Sequence, residues 1–150
     1  MSPDIEIGPA RVLDAGRLGA LMSGAIARLG WMPHPHSRAE DIHFVGQMID
    51  AGWVRVARWE GEPLGFLAMR EEEVQALYLL PEVQGRGIAR ALMEDAKKGR
   101  ERLGLWCMQR NARAVRFYRK AGFVEARRTD GVANDAGLPD VRFEWQRKAG

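Results

Sequence analysis

"VQALYLLPEVQGRGIARALMEDAKK" spans Val74–Lys98. It opens on an apolar run, Val74–Leu80, of strand length, and closes on residues suited to a helix. Between them, "PEVQGRGIA" (Pro81–Ala89) sets Gly85 and Gly87 on either side of Arg86. The first N–H groups of a helix have no acceptor within it and carry partial positive charge, which suits a phosphate. Gly85 and Gly87 allow backbone angles that converge several amides on one point, and Arg86 and Arg90 add charge. A Walker A loop would place Lys-Ser/Thr after the last glycine, where Ile88-Ala89 stand, and a dinucleotide fingerprint needs a third glycine. A bare G-x-G before a helix also serves as a simple tight turn. The loop by itself suggests a phosphate and names no ligand.

Outward from this strand-loop-helix unit, the pattern predicts a mixed α/β chain. "IEI" (Ile5–Ile7) reads as a first strand. Asp14 is placed to cap a helix reaching about Leu29, with Leu18, Leu21, Met22, Ala25 and Ile26 on one face. "GWMPHPHS" is a loop. "SRAE" (Ser37–Glu40) is a capping box that opens a second helix, ending near Ala51. "WVRVARW" (Trp53–Trp59) and "LGFLAMR" (Leu64–Arg70) read as a hairpin around "EGEP", and "EEE" (Glu71–Glu73) as the next turn. After Val74–Leu80 come a helix from about Gly87 to Leu103 and a short strand, "LWCM" (Leu105–Met108). "NARAVRFYRKAGF" (Asn111–Phe123) reads as a helix capped by Asn111 and stopped by Gly122. Phe123–Thr129 and Val141–Trp145 complete the strands. The order is β-α-α-β-β-β-α-β-α-β-β.

Composition bounds the class. The 150 residues suit one compact domain over 1–150, with 46% hydrophobic and 29% charged residues. No apolar run approaches the ~20 residues of a membrane helix, and no secretory pattern opens the chain. Cys107 is the only cysteine, on an apolar stretch that predicts a buried, inert thiol. These features favour a reducing cytoplasm and no membrane partner. A net charge of +3 is a mild excess, and no Lys/Arg block argues for nucleic acid. His34, His36 and His43 match no common zinc spacing, so no metal is expected.

Gln84-Gly85-Arg86-Gly87-Ile88-Ala89 resembles the Q/R-x-x-G-x-G/A motif of the GNAT (GCN5-related) N-acetyltransferase superfamily. Asn111–Phe123 is similar to that family's N-x-x-A-x-x-F/L-Y-x-x-x-G-F segment, and the element order is the family's own. The resemblance extends over about residues 4–146 and is strongest in 74–123. It implies a mixed, mostly antiparallel twisted sheet of about seven strands with about four helices, splayed between the fourth and fifth strands. It also implies acetyl-CoA, or another acyl-CoA, as donor to an amine acceptor. The backbone of Leu77, Tyr78 and Leu79 would pair with the pantetheine arm. Amides from Gln84 through Gly85, Arg86, Gly87, Ile88 and Ala89 to Arg90 would cradle the pyrophosphate. Dimers are common in that family.

Direct transfer needs a deprotonated amine, a donor for the oxyanion and a proton for the departing thiolate. The resemblance assigns the last role to Tyr118, seven residues and about 10 Å along the helix from Asn111, which would bond the cofactor arm. A backbone amide near Leu79 would meet the oxyanion. Glu73 stands where some members carry a basic glutamate, while Trp106 stands where others carry an acid on the fifth strand; a water chain is the other route. Trp31–His36 and Glu40, Asp41 and His43 would border the acceptor. The loop Asp130–Asp140, with Asp130, Asp135 and Asp140, would suit a cationic amine. A non-catalytic acyl-CoA-binding module on the same fold is the alternative.

Overall fold

The structure is a computed structural model and describes residues 4–148. Seven strands and four α-helices follow one another as β1 (Ile5–Pro9), α1 (Ala15–Leu29), α2 (Arg38–Asp50), β2 (Val54–Trp59), β3 (Glu62–Arg70), β4 (Glu73–Leu79), α3 (Ile88–Lys97), β5 (Arg102–Met108), α4 (Ala112–Lys120), β6 (Val124–Thr129) and β7 (Asp140–Gln146). Short 3-10 turns precede α1 and α3. Hydrogen bonding links the strands in the order β1-β2-β3-β4-β5-β7-β6. The β4–β5 ladder is parallel and pairs Glu73 with Gly104; β1–β2, β2–β3, β5–β7 and β6–β7 are antiparallel. The fold class is the expected mixed sheet. No helix among the described residues is long and apolar enough to cross a membrane.

The described chain falls into two compact units, 4–70 with 75–96 and 71–74 with 97–148. In the first, α1 and α2 bury Leu18, Leu21, Met22, Val45 and Met48 against Val54, Val56, Phe66 and Ala68 of β2 and β3. Residues alternate across a strand, so Arg55 points to the other face. There it makes a two-pronged bond to Asp95 of α3, at 3.0 and 3.1 Å. The turn from β2 to β3 is two residues, Glu60 (φ 48°) and Gly61 (φ 80°), the primed geometry that matches strand twist. The Ser37–Glu40 capping box forms as expected, with bonds of 2.9 and 3.1 Å.

Asp14 departs from expectation. Its carboxylate makes no cap bond to α1; it accepts from the Arg11 amide at 2.7 Å and from both arms of Arg58. Burial pushes this carboxyl up, but the Arg58 and Arg11 bonds outweigh it and hold it below its ordinary value.

Gly19 is where α1 meets α2. A Cβ there would lie 2.5 Å from the Ile42 Cα. Alanine would gain ~1 kcal/mol in helix propensity, but it must push a backbone apart, and overpacking costs about 1–3 kcal/mol. Gly19→Ala should therefore lower the melting temperature by several degrees. An unchanged or higher melting temperature would show that the helices separate freely.

In the second unit, β5 pairs with β7 from Arg102↔Gln146 to Met108↔Asp140. Leu103, Leu105, Cys107, Phe123, Val141 and Phe143 are buried. Burial pushes the Cys107 thiol up to about 11. Two boundaries are corrected here. The helix predicted to run to Leu103 ends at Lys97, because Gly99 takes a positive φ of 72° and Arg102–Leu105 are claimed by the ladder with β7. Glu73, predicted in a turn, is the first residue of β4.

Candidate functional site

In the first unit, β4 leads into the glycine loop. Gly85 (φ 79°) and Gly87 (φ 84°) both take the left-handed region, where a side chain is strained by about 1–2 kcal/mol. Gln84, Gly85, Arg86, Gly87 and Arg90 are exposed, while Ile88 is buried and Ala89 half-buried, so the start of α3 is anchored through one residue with its amide end facing solvent. First-turn amides of a helix have no acceptor within it.

The Leu80 amide donates to Leu64 O at 2.9 Å. Strand alternation then turns the backbone of Leu77 and Leu79 away from β3, and that of Tyr78 towards it. Gly65 on β3 makes room for this register: a Cβ there would lie 2.4 Å from Leu79 Cδ2. The Tyr78 ring goes to the core side, 5.9 Å from the Phe66 centroid. Its phenol is raised by burial first and then by the Asp41 carboxylate.

In the second unit, Asn111 caps α4, its carboxamide oxygen accepting from the Ala114 amide at 3.2 Å. That leaves the N–H₂ end to donate to a ligand. Tyr118 is half-buried. Its ring sits among Phe117, Phe123 and Phe143, with centroids at 5.3, 5.8 and 6.0 Å. Three aromatic neighbours hold the ring, so the direction of its hydroxyl is set by packing.

Glu73 is engaged. Arg142 Nη1 donates to its Oε2 at 2.8 Å, and Nη2 donates to Oε1. Arg142 lies on β7, and it reaches Glu73 across β5 over Gly104, where a Cβ would lie 2.0 Å from Arg142 Nη2. Each carboxylate oxygen thus receives one arm of the Arg142 guanidinium. A cavity of about 440 Å³ adjoins this pair, walled also by Glu72, Arg102, Glu144 and Trp145. Sequence reasoning missed Arg142 and Gly104. The signal was a lone glycine in the apolar run Leu103–Cys107.

The loop after β6 is also corrected. Asp140, expected to face an amine, opens β7 and is 6% exposed. Its carboxylate receives the Thr129 hydroxyl and, at 3.0 Å, the Asn134 amide. Asp130 caps its own turn through the Val132 amide at 3.0 Å. Asp140 is therefore spent on the loop's internal structure.

Comparison with known proteins bears on the family and the fold. A family profile described as "Acetyltransferase (GNAT) domain" matches residues 47–125. "Peptidyl-lysine N-acetyltransferase YjaB" of Salmonella typhimurium is 36% identical over 87 residues, 58% of this chain and 58% of that relative. The match thus spans well under two thirds of the relative's length. The solution structure of apo-form YjaB from Escherichia coli superposes with a TM-score of 0.78 at 25% identity, covering 94% of this chain and 97% of the other. The structure of yncA, a putative acetyltransferase from Salmonella typhimurium with its cofactor acetyl-CoA, superposes with a TM-score of 0.72 at 17% identity, covering 98% and 96%. With a profile match over just over half of its length and a sheet of the same order of strands and helices, this chain belongs to the GNAT acetyltransferase family.

Proposed function

We propose that this chain, acting as one domain over residues 1–150, moves an acetyl group from acetyl-CoA to a primary amine by direct attack. The observation that carries the reading is the pair of left-handed glycines, Gly85 and Gly87, which hold the loop before the exposed amide end of α3. A diphosphate is bound well by convergent amides at such an end. The amides from Gln84 to Arg90 take the pyrophosphate in this reading. Leu77 and Leu79, whose polar groups turn away from β3, take the pantetheine arm as an added strand, with Tyr78 supporting them from the core side. Asn111 donates to the arm.

The amine must lose a proton, attack the thioester carbonyl and expel the thiolate. A Leu79 amide suits the oxyanion, and Tyr118 protonates the sulfur. Tyrosine's reference pKa is ~10 and a thiol's ~8.5, so the tyrosine proton is replaced as it leaves, from the nitrogen of the adduct. Glu73, the base that the resemblance offers, is engaged by Arg142.

Among acceptors, a lysine side chain comes first, because the relative from Salmonella typhimurium bears the name of a peptidyl-lysine N-acetyltransferase. The test is release of CoA thiol from acetyl-CoA across a panel of amines: a lysine peptide, a polyamine, free amino acids and an amino-terminal peptide. Release with at least one, and acetylated product of the matching mass, is expected. Saturable binding of acetyl-CoA with no release for any amine would make the chain a binding module instead.

A further inference from the structure

One polar cluster in the first unit is unused by the transfer as described. Asp41, in the first turns of α2, is 2% exposed. Its Oδ2 lies 2.8 Å from His34 Nε2, in the connection between α1 and α2. The His34 side chain keeps 21% of its surface open and that of Asp41 keeps 3%. Tyr78 of β4 lies within the field of the same carboxylate.

A carboxylate in an apolar core costs several kcal/mol unless it is bonded. A helix start does not demand this burial. Glu40, one residue earlier, meets the same dipole from the exposed side through the capping box. What burial adds is orientation. With Asp41 accepting from Nε2–H, the imidazole is fixed in one tautomer and its lone pair sits on Nδ1. A carboxylate behind a histidine makes it a positioned base and stabilises the imidazolium that forms. Among the described residues, His36 and His43 have no such hydrogen bond.

We infer that His34, held by Asp41, is the base that takes the proton from the acceptor's ammonium group. This rests on the transferase reading above. His34 Nδ1 accepts one ammonium proton, and the neutral amine forms the N–C bond to the thioester carbonyl. The C–S bond then breaks, the thiolate gains a proton, and the imidazolium gives its proton to solvent. The balance is one acetyl moved, one thiol formed and one proton released. The other titratable or charged groups on the segments that carry the pair are His36 of the same loop and Arg38, Glu40 and His43 of α2, and Tyr78 of β4 meets the Asp41 carboxylate from the sheet.

His34→Gln keeps a donor for the buried Asp41 and removes the base. With the full chain, acetyl-CoA and the best amine of the panel, its kcat/KM should fall about 10²-fold or more near neutral pH. The deficit should then shrink by up to about tenfold per pH unit as the amine, with a reference pKa near ~10.4, deprotonates unaided. Acetyl-CoA affinity and melting temperature should hold. Asp41→Asn should show the same trend with a smaller loss. A deficit constant across pH, or no deficit, would overturn the base role while leaving the transferase reading intact. No thiol release by the parent chain with any amine would overturn both.

Discussion

Tyr118→Phe should lower the turnover of acetyl transfer by about 10²–10⁴-fold, the usual range for loss of a positioned proton donor. The expected barrier increase is about 2.7–5.5 kcal/mol. The substitution is clean because phenylalanine keeps the ring among Phe117, Phe123 and Phe143 and removes the hydroxyl alone. Acetyl-CoA affinity should hold, because the proposed contacts to the cofactor lie in the glycine loop, along β4 and at Asn111. Saturating thiol-release assays and acetyl-CoA titration separate the two effects. A turnover within a few-fold of the parent would remove Tyr118 from the chemistry and leave it as packing.

Phe143→Ala should cost about 3–5 kcal/mol of stability, the range for emptying a buried aromatic site. Phe143 is fully buried on β7, paired with Leu105 of β5 on one side and Glu125 of β6 on the other. A loss of that size is a large share of the ~5–15 kcal/mol that holds a typical domain together. Urea melts should show a lower midpoint, and a loss under about 1 kcal/mol would mean that the neighbours collapse into the space. Phe143 also borders the Tyr118 ring. The folded fraction of the variant should therefore turn over more slowly than the parent, a test of whether packing aims the hydroxyl.

The parts of the fold that were legible from sequence are those written in local chemistry. The capping box at Ser37, the cap at Asn111 and the glycine loop before α3 each depend on a few adjacent residues. Hydrophobic alternation placed β2, and the turn "EGEP" with the apolar run after it placed β3. What was not legible depends on partners far along the chain. Asp14 looked like a cap, but its fate is decided by Arg58 on β2. Glu73 looked like part of an acidic turn; Arg142, 69 positions later, draws it into a strand-end ion pair. Asp140 looked like an acceptor-facing charge and is claimed by Thr129 and Asn134. The His34–Asp41 contact is the same kind of case. "HPHSRAED" shows a loop and a helix start, and only the packing of α2 on α1 through Gly19 reveals that Asp41 is carried inward.

The burial of Cys107 has a consequence for a protein proposed to release a free thiol at every turnover. Thiolate, not thiol, attacks a disulfide. With its thiol pushed up to about 11, Cys107 is ionised at roughly one molecule in several thousand near pH 7.5. Mixed disulfides with oxidised CoA would therefore form there only very slowly. A chain with the proposed activity would thus be poorly capped at Cys107 by the disulfide form of its thiol product.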